Sequence, residues 1–215
     1  ASQWNENNLD MVVGMFNQHN EWEGYNNLFS FIQNANEKVM LDFACGPGRN
    51  IVRYNNLFKR IDGVDISDIN ILNAKKYLRS NGITDSRLYV CNGHDLMDIE
   101  SSSYDVIMST IAMQHICVHS IRYNYLREFF RILNPGGVIT IQMGYGYPSP
   151  FTVDYFADHI EAFSTNRRCD TEIRHYSQVK QDLDSIGFIE FNFVIDEVGP
   201  GDGHPSWIFF NAQKP

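Results

Sequence analysis

Apolar runs of strand length alternate with segments of helical periodicity along most of this 215-residue chain. Because parallel strands need a crossover between them, usually a helix, this alternation predicts a mostly parallel sheet covered by helices. The seven predicted strands lie at 39–43, 60–64, 87–91, 104–110, 138–143, 189–195 and 206–212. The predicted helices lie at 49–58, 67–80, 119–133 and 176–186.

The end of the chain departs from an all-parallel pattern. The last two predicted strands are joined by "DEVGPGDGHP", which leaves no room for a crossover helix, so we expect them to pair antiparallel. A long connection over 145–175 follows the fifth strand and is predicted to form a small cap at the carboxyl edge of the sheet. We therefore predict a single α/β domain over 1–215, with a Rossmann-like seven-stranded mostly parallel sheet, an antiparallel last strand and helices on both faces. Residues 1–37 are predicted to form a lid-like N-terminal segment.

Charge and composition exclude several classes of function. A net charge of −9 would repel a phosphate backbone, and no cluster of Lys and Arg offsets it, so we expect no nucleic-acid substrate. No apolar run approaches the roughly 20 residues of a membrane span, and "ASQWNENNLD" has no signal-peptide core. The four cysteines form no C-x-x-C pair, so we expect reduced thiols, no metal site and a cytoplasmic protein.

The stretch "LDFACGPGRN" places a glycine-rich turn directly after the first predicted strand. Such a turn lets backbone N–H groups face a ligand. Ile51 stands where the third glycine of a dinucleotide fingerprint belongs, which argues against a nicotinamide oxidoreductase. Asp65 ends the next strand, in "GVDIS", where its carboxylate can accept hydrogen bonds from ribose hydroxyls. An acid that favours the N-terminus of the following helix is the alternative interpretation of Asp65.

Four segments in order resemble the class I S-adenosylmethionine-dependent methyltransferases, particularly their small-molecule branch. They are "LDFACGPGRN", "GVDIS", "CNGHDLMDIESSSYDVIMSTIAMQHI" and "FFRILNPGGVITI". The resemblance implies S-adenosylmethionine as cofactor, S-adenosylhomocysteine as product, and methyl transfer to an oxygen or nitrogen of a small molecule. It also implies that the following residues bind the cofactor: Tyr25, Asp42, Ala44, Gly46, Gly48, Asp65, Ile66, Asn92, Gly93, His94, Ser109 and Gln114.

Two of these positions depart from the family pattern. Asn92 stands where the family often has a carboxylate for the adenine amino group, although its carbonyl oxygen can still accept. The Gly93 and His94 amides are expected near the ring nitrogens. Ala44 replaces the usual first glycine of the turn, which is tolerable if its φ stays negative. Trp4 and Tyr25 are candidates for a lid over the cofactor.

The resemblance places the end of the fourth strand opposite the donor methyl group. His115 is a candidate general base there, and a structural histidine opening the next helix is the competing interpretation. Tyr145, Tyr147 and His204 are candidates for acceptor binding, with a loop-capping role as the alternative for His204. The remaining aromatic residues of the cap are expected to be mostly core, as the buried stripe of a short helix that contains Tyr155, Phe156, His159, Ile160 and Phe163.

Two other functions stay open at this point. One is a methyltransferase-fold subunit that binds the cofactor weakly or not at all and serves a partner, and the other is a nicotinamide oxidoreductase. The oligomeric state is also open, with a homodimer among the options. The residues of the cap and mouth carry no signature of a particular acceptor.

Overall fold

A seven-stranded sheet runs through the protein. The computed structural model describes residues 24–147, 152–158, 170–197 and 204–215. The strands of this sheet are β1 (Val39–Phe43), β2 (Arg60–Asp65), β3 (Leu88–Val90), β4 (Tyr104–Ser109), β5 (Leu133–Tyr145), β8 (Ile189–Glu197) and β9 (Ser206–Gln213). They lie side by side in the order β3-β2-β1-β4-β5-β9-β8. A second, two-stranded sheet consists of β6 (Thr152–Asp154) and β7 (Asp170–Glu172).

The strand directions confirm the predicted fold class. Strands β1 to β5 pair in parallel, whereas β9 is antiparallel to both of its neighbours, β5 and β8. The order reverses at β1, because β2 lies on one side of it and β4 on the other. In open α/β sheets, ligands bind in the crevice that forms at the carboxyl ends of the strands at such a switch point.

The helices cover both faces of the sheet and follow the predicted pattern. They are α1 (Gly24–Phe29), α2 (Arg49–Tyr54), α3 (Asp68–Ser80), α4 (His119–Ile132) and α5 (Tyr176–Ile186), with 3-10 turns at Ala35–Glu37 and Met113–His115. Helix α2 ends four residues earlier than predicted, since the chain turns so that Phe58 packs into the core against Phe29. The part of the chain that the structure describes contains no helix long and apolar enough to cross a membrane.

Each face of the sheet has its own buried cluster. Phe129 of α4 and Ile141 of β5 belong to one, and Met40 of β1 and Ile51 of α2 belong to the other. Alternation along the strands sends neighbouring side chains to opposite faces, which explains why the strands read as continuous apolar runs.

The cap is built differently from the prediction. Tyr155 is buried, as expected of a core residue. However, the predicted helical stripe is wrong over the described part of that segment, because residues 152–154 form β6 and a turn follows. His159, Ile160 and Phe163 lie outside the described residues. Strands β6 and β7 pair in parallel, and Tyr145 at the end of β5 bridges to Ile173 just after β7.

A buried arginine holds this cap against the main domain. Arg122 of α4 has no exposed surface and donates hydrogen bonds to the carbonyls of Ile116 and Tyr155. It also donates to the hydroxyl of Thr171 in β7, at 2.8 Å. Because a buried charge is tolerated only when it is hydrogen-bonded, Arg122 fixes where β7 lies relative to the carboxyl edge of the sheet.

Candidate functional site

The turn after β1 adopts left-handed backbone conformations at three positions. Gly46 has φ of 54° and Gly48 has φ of 88°. A Cβ on Gly48 would lie 2.6 Å from Leu78 Cδ1, so glycine also permits the close packing of α3. Ala44 has φ of 59°, so the condition of a negative φ, under which an alanine is tolerable here, is not met. The turn thus imposes a glycine-type conformation on an alanine, at a cost of about 1–2 kcal/mol.

Asp65 ties this turn to the start of α3. Its Oδ2 accepts the N–H of Gly46 at 2.9 Å, and its Oδ1 accepts the N–H of Ser67 at 2.9 Å and the side-chain amide of Asn70 at 3.1 Å. Asp65 therefore supports the start of α3, as the alternative interpretation has it, and it also faces the glycine turn, while its contact with a ribose stays a prediction. A carboxylate has about four acceptor positions, which leaves Oδ2 with capacity for one ribose hydroxyl.

Asp42 is a buried carboxyl group with uncompensated acceptor capacity. It is 1% exposed, and its Oδ2 has no hydrogen-bond partner within the described ranges. Burial raises the pKa of Asp42 to about 7, although Arg49 and the amide of Asn50 lower it. The Oδ1 of Asn50 is likewise buried and unpartnered among the described residues, while its amide donates to Thr110 Oγ1 at 3.2 Å. These two oxygens fit a cationic amino group, which would supply the missing donors.

The loop after β3 differs from the predicted adenine contact in its hydrogen bonding. Asn92 Oδ1 accepts the N–H groups of His94 at 2.8 Å and Asp95 at 2.9 Å, so the side chain closes its own loop. The amino group of adenine would compete with these two N–H groups for Asn92 Oδ1. The N–H of His94, which is expected near an adenine ring nitrogen, already donates to Asn92 Oδ1. Gly93 has φ of 84°, and a Cβ there would lie 2.7 Å from Ile66 Cδ1. Ile66 is 65% exposed and presents an apolar surface beside this loop.

Several polar atoms in β4, in the turn after it and in β5 are buried without hydrogen-bond partners among the described residues. Ser109 Oγ, Gln114 Oε1 and both amide atoms of Gln142 have no hydrogen-bond partner in the part of the chain described. Ser109 and Gln142 have no exposed surface, and Gln114 is 2% exposed. Ile111, which follows β4, has φ of 53°, a strained conformation for a β-branched residue. Strain and unpartnered polar groups concentrate where the sequence predicts methyl transfer.

His115 and His204 meet through Asp170 of β7. His115 Nδ1 lies 2.8 Å from Asp170 Oδ1, and His204 Nε2 lies 3.4 Å from Asp170 Oδ2. His204 Nδ1 lies 3.5 Å from Glu172 Oε1. The His204 ring packs against Gly144 of β5, where a Cβ would overlap it. We call these four residues, His115, Asp170, His204 and Glu172, the histidine–carboxylate chain.

Burial and hydrogen bonding have opposite effects on the pKa values of His204 and Asp170 in the histidine–carboxylate chain. Burial disfavours a charged His204, but its hydrogen bonds to Asp170 and Glu172 outweigh this and raise its pKa to about 9. Burial likewise favours a neutral Asp170, yet its hydrogen bonds to both histidines hold the pKa of this carboxyl below its usual range. His204 is thus an imidazolium between two carboxylates at neutral pH.

The charge on His204 also bears on the orientation of Gln114. The amide nitrogen of Gln114 is 3.3 Å from His204 Nε2. His204 Nε2 is a donor, so the Gln114 atom that faces it should be the amide oxygen, which accepts. The amide oxygen and nitrogen have nearly the same shape, so the side chain can be turned by 180°. With the amide turned in this way, the NH₂ group of Gln114 takes the buried position at which no hydrogen-bond partner lies within the described part of the chain.

The remaining predicted lid and acceptor residues are Tyr25, Trp4, Tyr145 and Tyr147. Tyr145 is half-buried and packs against the core cluster of the α4 face. Tyr147 is 84% exposed and forms no wall with the other residues of the site. The backbone of Tyr25 lies in α1, and Trp4 lies outside the described residues. The role of Tyr25 and the acceptor contacts of Tyr145 and Tyr147 stay predictions.

The sequence reasoning missed Asn50, Gln142, Asp170 and Glu172. Gln142 lies in an apolar strand, where a single polar residue is a detectable signal of a buried site. Asp170 and Glu172 are two residues apart, which on a strand places both carboxylates on one side. Because β7 was not predicted, the two-residue spacing of Asp170 and Glu172 could not be recognised as placing both side chains on one side of a strand.

Known proteins resemble this chain in sequence and in fold. The family described as "Methyltransferase domain" matches residues 40–137, from β1 to the first residues of β5. Residues 40–137, slightly less than half of the chain, match this methyltransferase domain family. The match contains the glycine turn, Asp65, the Asn92 loop and the end of β4, and it confirms the predicted family.

Two curated relatives share part of this methyltransferase domain. A sterol 24-C-methyltransferase of Eremothecium gossypii is 28% identical over 169 residues, which cover 74% of this chain and 41% of the relative. An N-terminal Xaa-Pro-Lys N-methyltransferase 1 of Rattus norvegicus is 35% identical over 103 residues, 47% of this chain and 45% of the relative. The chain spans less than half the length of these curated relatives.

Solved structures extend the similarity of the fold beyond the methyltransferase domain. A Bacillus halodurans C-125 protein assigned to the methyltransferases has a TM-score of 0.66 and 15% identity, and covers 90% of this chain and 99% of its own. Haemonchus contortus phosphoethanolamine N-methyltransferase 2, solved with S-adenosyl-L-methionine, has a TM-score of 0.64 and 18% identity. That comparison covers 90% of this chain and 53% of the other. At such identities the likeness is one of fold.

Proposed function

We propose that this protein transfers a methyl group from S-adenosylmethionine to an oxygen or nitrogen of a small molecule. The observation that carries the proposal is the pair of buried, unpartnered oxygens on Asp42 and Asn50, beside a glycine turn held by Asp65. These oxygens call for a cationic donor, and the amino group of S-adenosylmethionine is one. Membership of residues 40–137 in the methyltransferase family supports the same cofactor.

Each part of the site has a defined task in this proposal. Asp42 and Asn50 would hold the amino-acid portion of the cofactor, and Asp65 a ribose hydroxyl. Ile66 and Gly93 would border the adenine. When bound, the cofactor supplies a methyl group already activated by the positive sulfonium. The protein then needs to align the acceptor and exclude water, and such positioning is worth up to about 7–11 kcal/mol.

The acceptor is proposed to lie over the ends of β4 and β5. Ser109, Gln114 and Gln142 supply buried polar groups there that a ligand can satisfy. A small molecule is favoured over nucleic acid because the chain carries a net charge of −9. The relatives that methylate a sterol or a peptide N-terminus, as their names say, leave the class of acceptor open.

A transfer assay tests the proposal. The protein is incubated with methyl-labelled S-adenosylmethionine and a deproteinised metabolite extract, and label in small molecules is counted. We expect transfer by the wild type, loss of transfer in Asp65→Ala, and retention in Asp85→Ala, which removes an exposed acid from the same α/β unit. Equal transfer by all three proteins would contradict the assigned cofactor site.

The assay also separates the alternatives. A partner subunit without its own activity would transfer no label alone and would gain transfer when a co-purified protein is added. A nicotinamide enzyme would be stabilised against heat by NAD and not by S-adenosylhomocysteine, the opposite of what we expect. Location in the cytoplasm and the oligomeric state stay predictions.

A further inference from the structure

The histidine–carboxylate chain joins the methyltransferase domain to the cap. His115 ends the 3-10 turn after β4, Asp170 and Glu172 belong to β7, and His204 precedes β9. Three separate segments thus place titratable groups in one line, and Thr152 of β6 extends it by donating to Glu172 Oε2 at 2.9 Å. Within the described residues, no cluster of His, Cys, Asp and Glu side chains is arranged to hold a metal ion.

The two histidines differ in their access to solvent. The His204 side chain is 2% exposed and lies between two carboxylates, whereas the His115 side chain is 55% exposed. A buried imidazolium cannot exchange its proton with an acceptor from solution, but an exposed imidazole can. His115 is therefore the member of the chain that can act on a substrate.

Contact with Asp170 fixes which nitrogen of His115 carries the proton. The Nδ1 atom faces the carboxylate at 2.8 Å, so it donates its N–H, and in the neutral ring Nε2 holds the lone pair. Asp170 remains an acceptor because the imidazolium of His204 keeps it ionised. His204 in turn is kept charged by Glu172 on its other side.

We propose that Asp170 is a positioning residue that orients His115 as the general base, and that the acceptor therefore arrives with a proton on its reacting oxygen or nitrogen. The inference rests on the proposed methyltransferase function. As the acceptor atom forms its bond to the methyl carbon, the sulfur keeps the electron pair of the broken S–C bond. The acceptor's proton passes to Nε2 of His115 and then to solvent. Alcohols and phenols fit this class. An ammonium group fits it too, but it must first give one proton to His115 so that its nitrogen has a lone pair for the methyl carbon. Carboxylates do not need the base.

Nuclear magnetic resonance of the imidazole nitrogens tests the positioning without any acceptor. The protein is labelled with ¹⁵N at histidine, saturated with S-adenosylhomocysteine and titrated until His115 is neutral. We expect the Nδ1–H tautomer in the wild type and its loss as the dominant form in Asp170→Asn, whose amide can donate to Nδ1 instead. A dominant Nε2–H tautomer in the wild type, or an unchanged tautomer in the variant, would overturn the inference.

Labelled methyl transfer to the metabolite extract tests the base. We expect His115→Asn to lower the rate about 100-fold or more, and Asp170→Asn to lower it in the same direction. Both variants should keep their affinity for S-adenosylhomocysteine within twofold. Asp154→Asn is the matched control, because it makes the same change in the cap and breaks an exposed ion pair with Arg174 instead. A normal rate in His115→Asn would overturn the inference.

Failure of the inference and failure of the proposed function give different results. If the wild type does not bind S-adenosylhomocysteine, the proposed function fails. If it binds and transfers label but keeps its rate in both variants, only the base is wrong. Should Asp170→Asn fail to fold, the tautomer of the wild type and the rate of His115→Asn still decide.

Discussion

Asp42 has a buried carboxyl oxygen without a hydrogen-bond partner among the described residues. Its pKa is raised to about 7 by burial, so the folded protein binds a proton there that the unfolded chain, with an ordinary carboxyl pKa near 4, releases. The folded state is therefore favoured at low pH by this group, and the contribution is lost as pH rises from about 4 through 7. A bound ammonium group would replace the proton and remove the penalty.

We predict that S-adenosylhomocysteine binding releases a proton from Asp42 below pH 7. Calorimetric titration in two buffers of different ionisation enthalpy measures the number of protons released. The wild type should release most of one proton at pH 6 and close to none at pH 8. Asp42→Asn should release none at either pH, whereas Asp68→Asn, a change at the exposed start of α3, should behave as the wild type. Equal release by all three proteins would rule out Asp42 as the proton source.

Gly48 combines a left-handed backbone with a crowded position. Gly82 provides a matched control, because it too has a positive φ, 74°, but nothing within 4 Å of an added Cβ. We predict that Gly82→Ala costs about 1 kcal/mol of unfolding free energy from backbone strain alone. Gly48→Ala should cost at least about 1–3 kcal/mol more, because Leu78 must move. Urea unfolding of both variants measures the difference, and equal losses would contradict the packing role of Gly48.

Strand β5 contains one fully buried glutamine, Gln142, among apolar neighbours. Gln142 pairs with Phe209 of β9 and has no exposed surface, and neither amide atom has a partner in the described structure. An unsatisfied buried polar group costs about 1–3 kcal/mol. We predict that Gln142→Met raises the melting temperature of the free protein and lowers labelled methyl transfer. A lower melting temperature would show that the amide is satisfied, and unchanged transfer would remove Gln142 from the acceptor site.

Helix α4 holds the cap through Arg122. Removing a buried, hydrogen-bonded charge leaves the carbonyls of Ile116 and Tyr155 without donors, at a cost of about 2–4 kcal/mol. We predict that Arg122→Met increases hydrogen exchange in β6 and β7 while β1 and β4 stay protected. Arg131→Met, on the same helix but paired with Glu128 away from the cap, should leave exchange in β6 and β7 unchanged. Uniform loss of protection in Arg122→Met would mean that the cap and sheet unfold as one unit.

The sequence predicted most of the sheet because local signals coincide there. The runs that became β1 and α5 have the predicted bounds, and Ser67, the first residue of the helix predicted at 67–80, caps α3 with its hydroxyl. The position of β9 between β5 and β8 could not be deduced from the short connection, since only tertiary packing places a returning strand between two others. The cap strands were missed because three-residue strands have no periodicity to detect.

Within the site, the sequence could predict residues only near the glycine turn after β1. Asp42 and Asp65 have sequence positions that fix them at the ends of parallel strands. The link from His115 to His204 joins residues far apart in the chain and depends on the short β7, so no motif announces it. The positive φ of Ala44 could not be predicted, because the turn overrides the preference of alanine.

Calorimetric titration with S-adenosylhomocysteine is the most direct test of the cofactor site on which the account rests. We predict saturable micromolar binding to the wild type and to Asp85→Ala, binding at least about tenfold weaker to Asp65→Ala, a loss of about 1.4 kcal/mol, and no binding of NADH to any of the three. Absence of heat with S-adenosylhomocysteine at high micromolar concentration, or equal affinity of Asp65→Ala and the wild type, would contradict it.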